Sequence, residues 1–296
     1  MILDNEAQVT EAVLAALAGT PNARVREVMT SLVRHLHAFL REVRPTEEEY
    51  YAGLRFVAEL GRHTGADRNE TIIAADTLGI STLATLLNNK IGAHRTDPAL
   101  LGPFWRKNAP WRENGESIAY SPTPGPAVFV SGRVMDADGA PIKGALVDVW
   151  HASPVGFYEN QDAEQAEYNL RGVFRTDKDG RYAFRTVKPA GYPVPVDGPV
   201  GRLLRATNRH PFRPAHFHFM VTHPGFQTLI TQVFPDDDPH LESDVTFSVV
   251  RSLIGRFERH ERGEPPAEDV RGEWYTLEYD LYLQPGEMRV PEAPIP

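Results

Sequence analysis

The sequence predicts an α+β chain, helical over residues 1–96 and built from short β-strands over residues 97–296. Two patterns carry that division. Up to about residue 89, apolar residues recur every three or four positions, the period of an α-helix. From Val128 onward, apolar and polar residues alternate in short runs, two of them closed by Asp-x-Asp-Gly turns.

In the helical part, Val25, Val28, Met29, Leu32, Leu36, Phe39, Leu40 and Val43 fall on one stripe. Thr46 and Glu49 have capping-box spacing and open the next helix, which carries Tyr50, Leu54, Val57 and Leu60 and closes near Gly61 and Gly65. Another helical pattern runs from Arg68 to Asn89 and is expected to break at Gly79. Helices this apolar need cover, from each other, from the rest of the chain or from a second copy.

Residues 101–126 are rich in Pro, Gly and Trp without a period, and are expected to form an ordered connecting loop. Strands are expected at 128–135, 145–151, 172–176, 181–186, 216–222, 228–234, 245–250 and 276–283. The turns at 136–139 and 177–180 place Gly where a positive φ is wanted. Short strands at such spacing suit an antiparallel sandwich or a barrel. The Pro-rich tail from Pro285 is expected to be irregular.

Composition narrows the chemistry. The chain has no cysteine, which excludes disulfides, thiolate ligands and cysteine nucleophiles and suits a cytoplasmic location. A net charge of -9 argues against nucleic acid as partner. No run of about 18 apolar residues and no signal-like start occurs, so no membrane association is expected. G-x-S-x-G, H-E-x-x-H, P-loop and G-x-G-x-x-G patterns are absent.

His216-Phe217-His218 is the sharpest local feature. In a strand, residues i and i+2 share a face, so both imidazoles project together, as two ligands of one metal require. The alternative is a pair of histidines that only hydrogen-bond on a half-buried strand. Tyr158 and Tyr192 stand in segments framed by Pro and Gly, rigid mounts for a ligand, or else ordinary rings packed under loops. Phenolates are hard donors and favour Fe(III) over Fe(II) or zinc. Asp236, Asp237 and Asp238 with His240 read more readily as a solvated turn than as a cation site.

With these residues in place, the chain resembles the intradiol ring-cleavage dioxygenases, in their catechol and hydroxyquinol 1,2-dioxygenase branch. The matching segments are LGPF (101–104), GALVDVW (144–150), GFY (156–158), LRG (170–172), YPVPVDG (192–198) and RHPFRPAHFH (209–218), in family order over most of residues 70–255. The resemblance implies a prealbumin-like β-sandwich catalytic domain after an N-terminal helical region that joins a homodimer, often with a lipid trapped between the helices. It implies iron(III) held by Tyr158 and His216 in the equatorial plane and by Tyr192 and His218 axially, with Tyr192 leaving when substrate binds. Arg213 and Gln232 match the family's active-site arginine and glutamine. Ile73, Asp76, Leu100, Pro103 and Phe104 fall where the pocket wall meets the ring. The implied reaction is cleavage of an aromatic 1,2-diol by O2 to a muconate- or maleylacetate-type acid.

Departures from the family pattern are His151 where Gln is usual, Phe217 where Ile is usual, and the continuation Trp105-Arg106. They bear on the substrate, for which hydroxyquinol is preferred and catechol or a substituted catechol is the alternative. Two other readings compete. Residues 131–145 also resemble prealbumin-like modules that only bind, and the histidine pair alone would suit a zinc or copper hydrolase.

Overall fold

A computed structural model of the chain describes residues 2–66, 68–89 and 95–295. By contacts they divide into two compact units, residues 1–58 and 59–296.

The first unit holds α1 (Gln8–Leu17), α2 (Ala23–Val43) and most of α3 (Glu47–Arg62). Asn22 caps α2 by accepting from the Val25 N–H. The Thr46–Glu49 box forms: Thr46 N–H donates to Glu49 Oε2 at 2.7 Å and Glu49 N–H to Thr46 Oγ1 at 3.3 Å. Thr10 ties α1 to α2, meeting His37 Nδ1 at 2.9 Å and accepting from Arg41 Nη2 at 2.6 Å. Along the apolar stripe of α2, Val25, Leu32, Leu36, Phe39 and Val43 are each about half exposed.

The second unit opens with α4 (Glu70–Thr77) and α5 (Ile80–Asn88), broken at Gly79 as expected. The division by contacts falls inside α3 rather than at the change of character near residue 97, because α4 packs on a helix that lies among the strands. The strands are β1 (Ala127–Met135), β2 (Leu146–Trp150), β3 (Arg171–Arg175), β4 (Arg181–Val187) and β5 (Tyr192–Pro193). After α6 (Pro199–Ala206), the helix that α4 meets, come β6 (Phe212–Arg213), β7 (Phe217–Thr222), β8 (Leu229–Pro235), β9 (Ile254–Gly255), β10 (Glu258–His260), β11 (Trp274–Glu278) and β12 (Leu281–Tyr282).

Two sheets face each other. One runs β3-β2-β7-β8-β9; in the other β1 pairs with β4 on one edge and with β11 and β12 on the other, β10 flanking β11. Between them lies one core with Val128, Val130 and Phe184 from one side and Val147, Phe217, Phe219 and Val233 from the other. Each fully buried aromatic or aliphatic side chain there contributes roughly 1.5–3 kcal/mol. This is the α+β sandwich that the alternation predicts, with Gly139 and Gly180 at positive φ in their turns.

Two expected strands differ. Residues 245–250 form a loop, because Asp244 takes the N–H groups of Thr246 and Ser248 at 3.1 and 2.9 Å and Phe247 turns to φ 57°. The run 276–283 breaks between β11 and β12, where Tyr279 N–H donates to Ser131 O and Asp280 Oδ1 accepts from Arg133 N–H. Both pieces pair parallel to β1, so this edge is not antiparallel.

Candidate active site

The outer face of the β2-β7-β8 sheet supplies the floor of the site. Along β7, Phe217, Phe219 and Val221 enter the core, so His218 and Met220 point the other way. Register places Trp150 opposite His218 and His218 opposite Gln232, one row across three strands. Trp150 stacks on the His218 ring, and Gln232 Nε2 lies 3.3 Å from His218 Nδ1 while donating to the Leu100 carbonyl at 3.0 Å. Gly102, at φ 73°, lets the backbone pass close; a Cβ there would lie 3.2 Å from His218 Cε1.

His216 comes just before β7, with the same parity as His218. Its Nδ1–H donates to the Pro214 carbonyl at 2.8 Å, which leaves the Nε2 lone pair facing inward. Tyr192 and Arg213 are register partners in the short β5-β6 ribbon. Tyr158 enters from a loop and stacks on Phe104 at 4.6 Å, with the Arg171 guanidinium 5.7 Å from its ring centre. Arg171 is itself held by Glu159 Oε2 at 2.7 Å and by the Phe104 carbonyl at 2.7 Å.

Four donor atoms converge. Tyr158 Oη is 3.1 Å from Tyr192 Oη and 3.1 Å from His218 Nε2; His216 Nε2 is 3.1 Å from His218 Nε2 and 3.5 Å from Tyr192 Oη. Donors bound to one ion at about 2.0–2.1 Å in tetrahedral directions stand roughly 3.3 Å apart, so the cage has the size of a metal site. Among the described residues no group of three or more His, Asp or Glu is arranged to hold a metal ion, so this set depends on its two phenols.

Burial controls protonation here. It pushes the Tyr158 phenol well above its ordinary pKa, with Tyr192 adding to the effect, and raises Tyr192 as well. It pushes both imidazoles well below the ordinary range, and the Arg213 charge pushes the same way on each. Left to itself the cage is neutral. Neutral imidazoles are ready ligands, and the phenols would ionise only against a multivalent cation.

Arg213 Nη1 lies 3.1 Å from His216 Nε2, its Nη2 donates to Gln232 Oε1 at 2.8 Å and Ser248 Oγ at 2.6 Å, and its Nε faces Asp244 Oδ1 at 3.3 Å. Burial works against both charges of this pair. Arg213 and the hydrogen bonds from Ser248 and Thr246 nonetheless hold Asp244 at about 2, and Asp244 raises the Arg213 pKa.

A small cavity beside the cage is lined by Ile73, Asp76, Pro103, Phe104, Tyr192, Val194, Arg213 and Thr246. Leu100 lines a different cavity, with Thr82, Ala99 and Val250, while its carbonyl meets Gln232 Nε2 at 3.0 Å and the His218 imidazole. Burial pushes the Asp76 carboxyl up to about 6, against a hydrogen bond from Ser81 and the Arg213 charge. The acidic run at 236–238 is a turn bound by its own chain: Asp238 accepts from Ala215 N–H at 2.9 Å and Asp236 from Phe257 N–H at 3.0 Å.

Sequence reasoning passed over Trp150, Asp244, Ser248, Glu159 and Arg171. Two of the departures noted above meet each other, since the His151 ring stands edge-on to Phe217 at 4.9 Å. His151 Nδ1–H donates to the Ala152 carbonyl at 2.8 Å, and its Nε2 pairs with Thr186 Oγ1 at 2.6 Å. Trp105 of the third departure donates to Asp148 at 2.9 Å behind the site.

Comparison with known proteins identifies the family. Residues 100–285 match the Dioxygenase family model, and residues 22–96 match the model of the catechol dioxygenase N terminus. The chain is 43% identical to a 6-chlorohydroxyquinol 1,2-dioxygenase of Cupriavidus pinatubonensis over 94% of its own length and 96% of the relative's. It is 38% identical to a catechol 1,2-dioxygenase of Candida albicans, covering 93% and 91%. The crystal structure of a hydroxyquinol 1,2-dioxygenase of Pseudomonas putida superposes with a TM-score of 0.86 at 38% identity, covering 95% and 98%. Matched along nearly its whole length by proteins that share its sandwich, the chain belongs to the intradiol ring-cleavage dioxygenases, enzymes that open an aromatic ring between two neighbouring hydroxyl-bearing carbons.

Proposed function

We propose that the chain cleaves hydroxyquinol (benzene-1,2,4-triol) or a close relative with O2, using iron(III) held by Tyr158, Tyr192, His216 and His218. The observation that carries the iron assignment is the convergence of four neutral donors, two of them phenols, in one buried cage. When bound, the ferric ion supplies the charge that lets both phenols ionise and draws electron density out of a coordinated diol.

The chain's own residues do the rest. Ile73, Pro103 and Phe104 form apolar walls for the ring, and the burial of Ile73 and Phe104 excludes water. Tyr192 borders both the cage and the cavity, so its Oη is placed to take and hold a proton from an incoming diol. Tyr158, pinned between Phe104 and Arg171, keeps its position. Arg213 brings a fixed positive charge to the cage edge, where it stabilises negative charge developing on the ring. Gln232 sets the orientation of both Arg213 and His218.

The preference for hydroxyquinol rests on Asp76. Its buried carboxyl on the cavity wall can accept from a third ring hydroxyl, and a site built to pair a hydroxyl discriminates against a ring without one. The hydrogen bond from Ser81 favours the second reading, in which Asp76 ties the α4–α5 break internally and the substrate is catechol or a substituted catechol.

The half-exposed stripe of α2 supports a homodimer joined through the N-terminal helices of residues 1–96. A groove lined by Val9, Leu40, Arg41, Arg44 and Tyr50 offers room for a lipid between them. No single described helix is long and apolar enough to cross a membrane, and the reading places the enzyme in the cytoplasm.

Iron analysis and visible spectroscopy test the proposal. Wild type is expected to be wine-red from tyrosinate-to-iron charge transfer; Tyr158→Phe and His216→Ala are expected to lose colour and activity together. Full iron and colour in His216→Ala would refute the ligand set.

A further inference from the structure

We propose that Asp244 is the positioning residue of this active site: with its loop partners Thr246 and Ser248, it fixes the direction in which Arg213 delivers its charge to the cage. The inference rests on the role given to Arg213 above.

The argument starts from the cost of the charge. Arg213 is 4% exposed and surrounded by two imidazoles and two phenols, none of which is an anion on its own. A lone guanidinium there is expensive, and its long side chain has rotamers to spare unless something holds it. Asp244 is 5% exposed and supplies both the opposite charge and the restraint. Its Oδ1 faces Arg213 Nε at 3.3 Å.

The carboxylate is itself held on every side. Oδ1 accepts from Thr246 N–H at 3.1 Å, while Oδ2 accepts from Thr246 Oγ1 at 2.8 Å, Ser248 N–H at 2.9 Å and Ser248 Oγ at 2.7 Å. Ser248 Oγ also accepts from Arg213 Nη2 at 2.6 Å. The guanidinium is thereby gripped at Nε and Nη2, and Nη1 is left as the nitrogen that faces His216. The start of a six-residue alternating run, Val245 to Val250, is folded into this clamp, with Phe247 in the left-handed region. That conformation is uncommon for a bulky residue, and surrounding structure must impose it.

Asp244 makes no hydrogen bond to the four donors; it holds Arg213 and Thr246, two residues of the cavity wall, and Arg213 is the one of them that reaches the cage. This separates positioning from general support. A residue that merely stabilised the fold would lower activity by the same factor whatever stood at 213.

The test is a double-mutant cycle in iron-loaded protein with Asp244→Asn, Arg213→Lys and the pair, following iron content, the visible band, kcat and KM. Asn keeps the shape and one accepting oxygen, but removes the charge and turns the other oxygen into an NH2 donor. Asp244→Asn is expected to keep its iron and colour and to lose kcat by about 10–100-fold, the range for residues that orient a metal-site group. In the Arg213→Lys background the same substitution is expected to cost less than about twofold. Ser248→Ala, a milder change, is expected to cost a few-fold in wild type and nothing further in Arg213→Lys, which keeps the test available if Asp244→Asn folds poorly. Losses that multiply in the double variants, or an unchanged kcat in folded Asp244→Asn, would overturn the proposal. A colourless, inactive wild type would instead refute the iron reading.

Discussion

Trp150 lies flat on His218, with ring centroids 4.7 Å apart and planes within 9°. The two residues are direct cross-strand partners on β2 and β7, so the contact follows from register, and it closes the side of the imidazole away from solvent. Trp150→Ala is expected to cost about 3–5 kcal/mol in stability, the usual range for emptying a buried tryptophan site. Trp150→Phe, which keeps a stacking ring, is expected to cost less than half of that. Urea denaturation measures both, and equal losses would contradict a stabilising role for the stacked ring.

Asp76 gives a specificity prediction. An unpaired buried acceptor costs roughly 1–3 kcal/mol, about one to two decades in selectivity. Wild type is therefore expected to prefer benzene-1,2,4-triol over catechol in kcat/KM, and Asp76→Ala is expected to reduce that ratio at least tenfold. A wild-type preference for catechol, or a ratio untouched by the substitution, removes the argument while leaving the iron chemistry standing.

Asp148, which accepts from Trp105 Nε1, gives a pH prediction. Burial raises its carboxyl to about 6, against the Trp105 bond and the Arg171 charge. A raised carboxyl favours the folded state when protonated; that contribution is complete below the unfolded value near 3.8 and is lost as pH rises through about 6. Asp148→Asn, which cannot ionise, is expected to gain stability relative to wild type by roughly 1 kcal/mol between pH 5 and pH 7.5. Chemical denaturation at the two pH values checks it, and a constant difference would contradict it.

The α2 stripe gives an assembly prediction. Wild type is expected to be a dimer at micromolar concentration by light scattering. Leu36→Glu, which places a charge mid-stripe, is expected to shift it to monomer without loss of helix content by circular dichroism. A monomeric wild type would contradict the dimer.

What was legible in the sequence was local. The His216–His218 pair could be read because strand parity is fixed by two peptide units, and the Gly79 break because a glycine interrupts a helical period. The Pro and Gly around Tyr158 and Tyr192 set them apart from the other tyrosines but left ligand and packed ring both open; the order of the family segments chose between the two. Trp150 depends on which strand lies beside β7, which periodicity does not encode. Asp244 was hidden for a different reason. The run Val245-Thr-Phe-Ser-Val-Val250 has the alternation and β-branching of a strand, and a single preceding carboxylate overrides it by capturing the N–H groups that a neighbouring strand would have used. Leu100 came to the wall through the family resemblance alone, and its carbonyl bonds Gln232 beside the cage.

The parallel pairing of β11 and β12 along β1 has a consequence for the growing chain. One edge of β1 is satisfied by β4 within about sixty residues, while the other waits for residues 274–282. During synthesis from the N-terminus, Tyr158, Tyr192, His216 and His218 have all been made before that edge has a partner. An open strand edge is a template for pairing with another chain. The nascent protein is therefore most prone to stick to its neighbours in the interval between completing its chemistry and receiving its last strands.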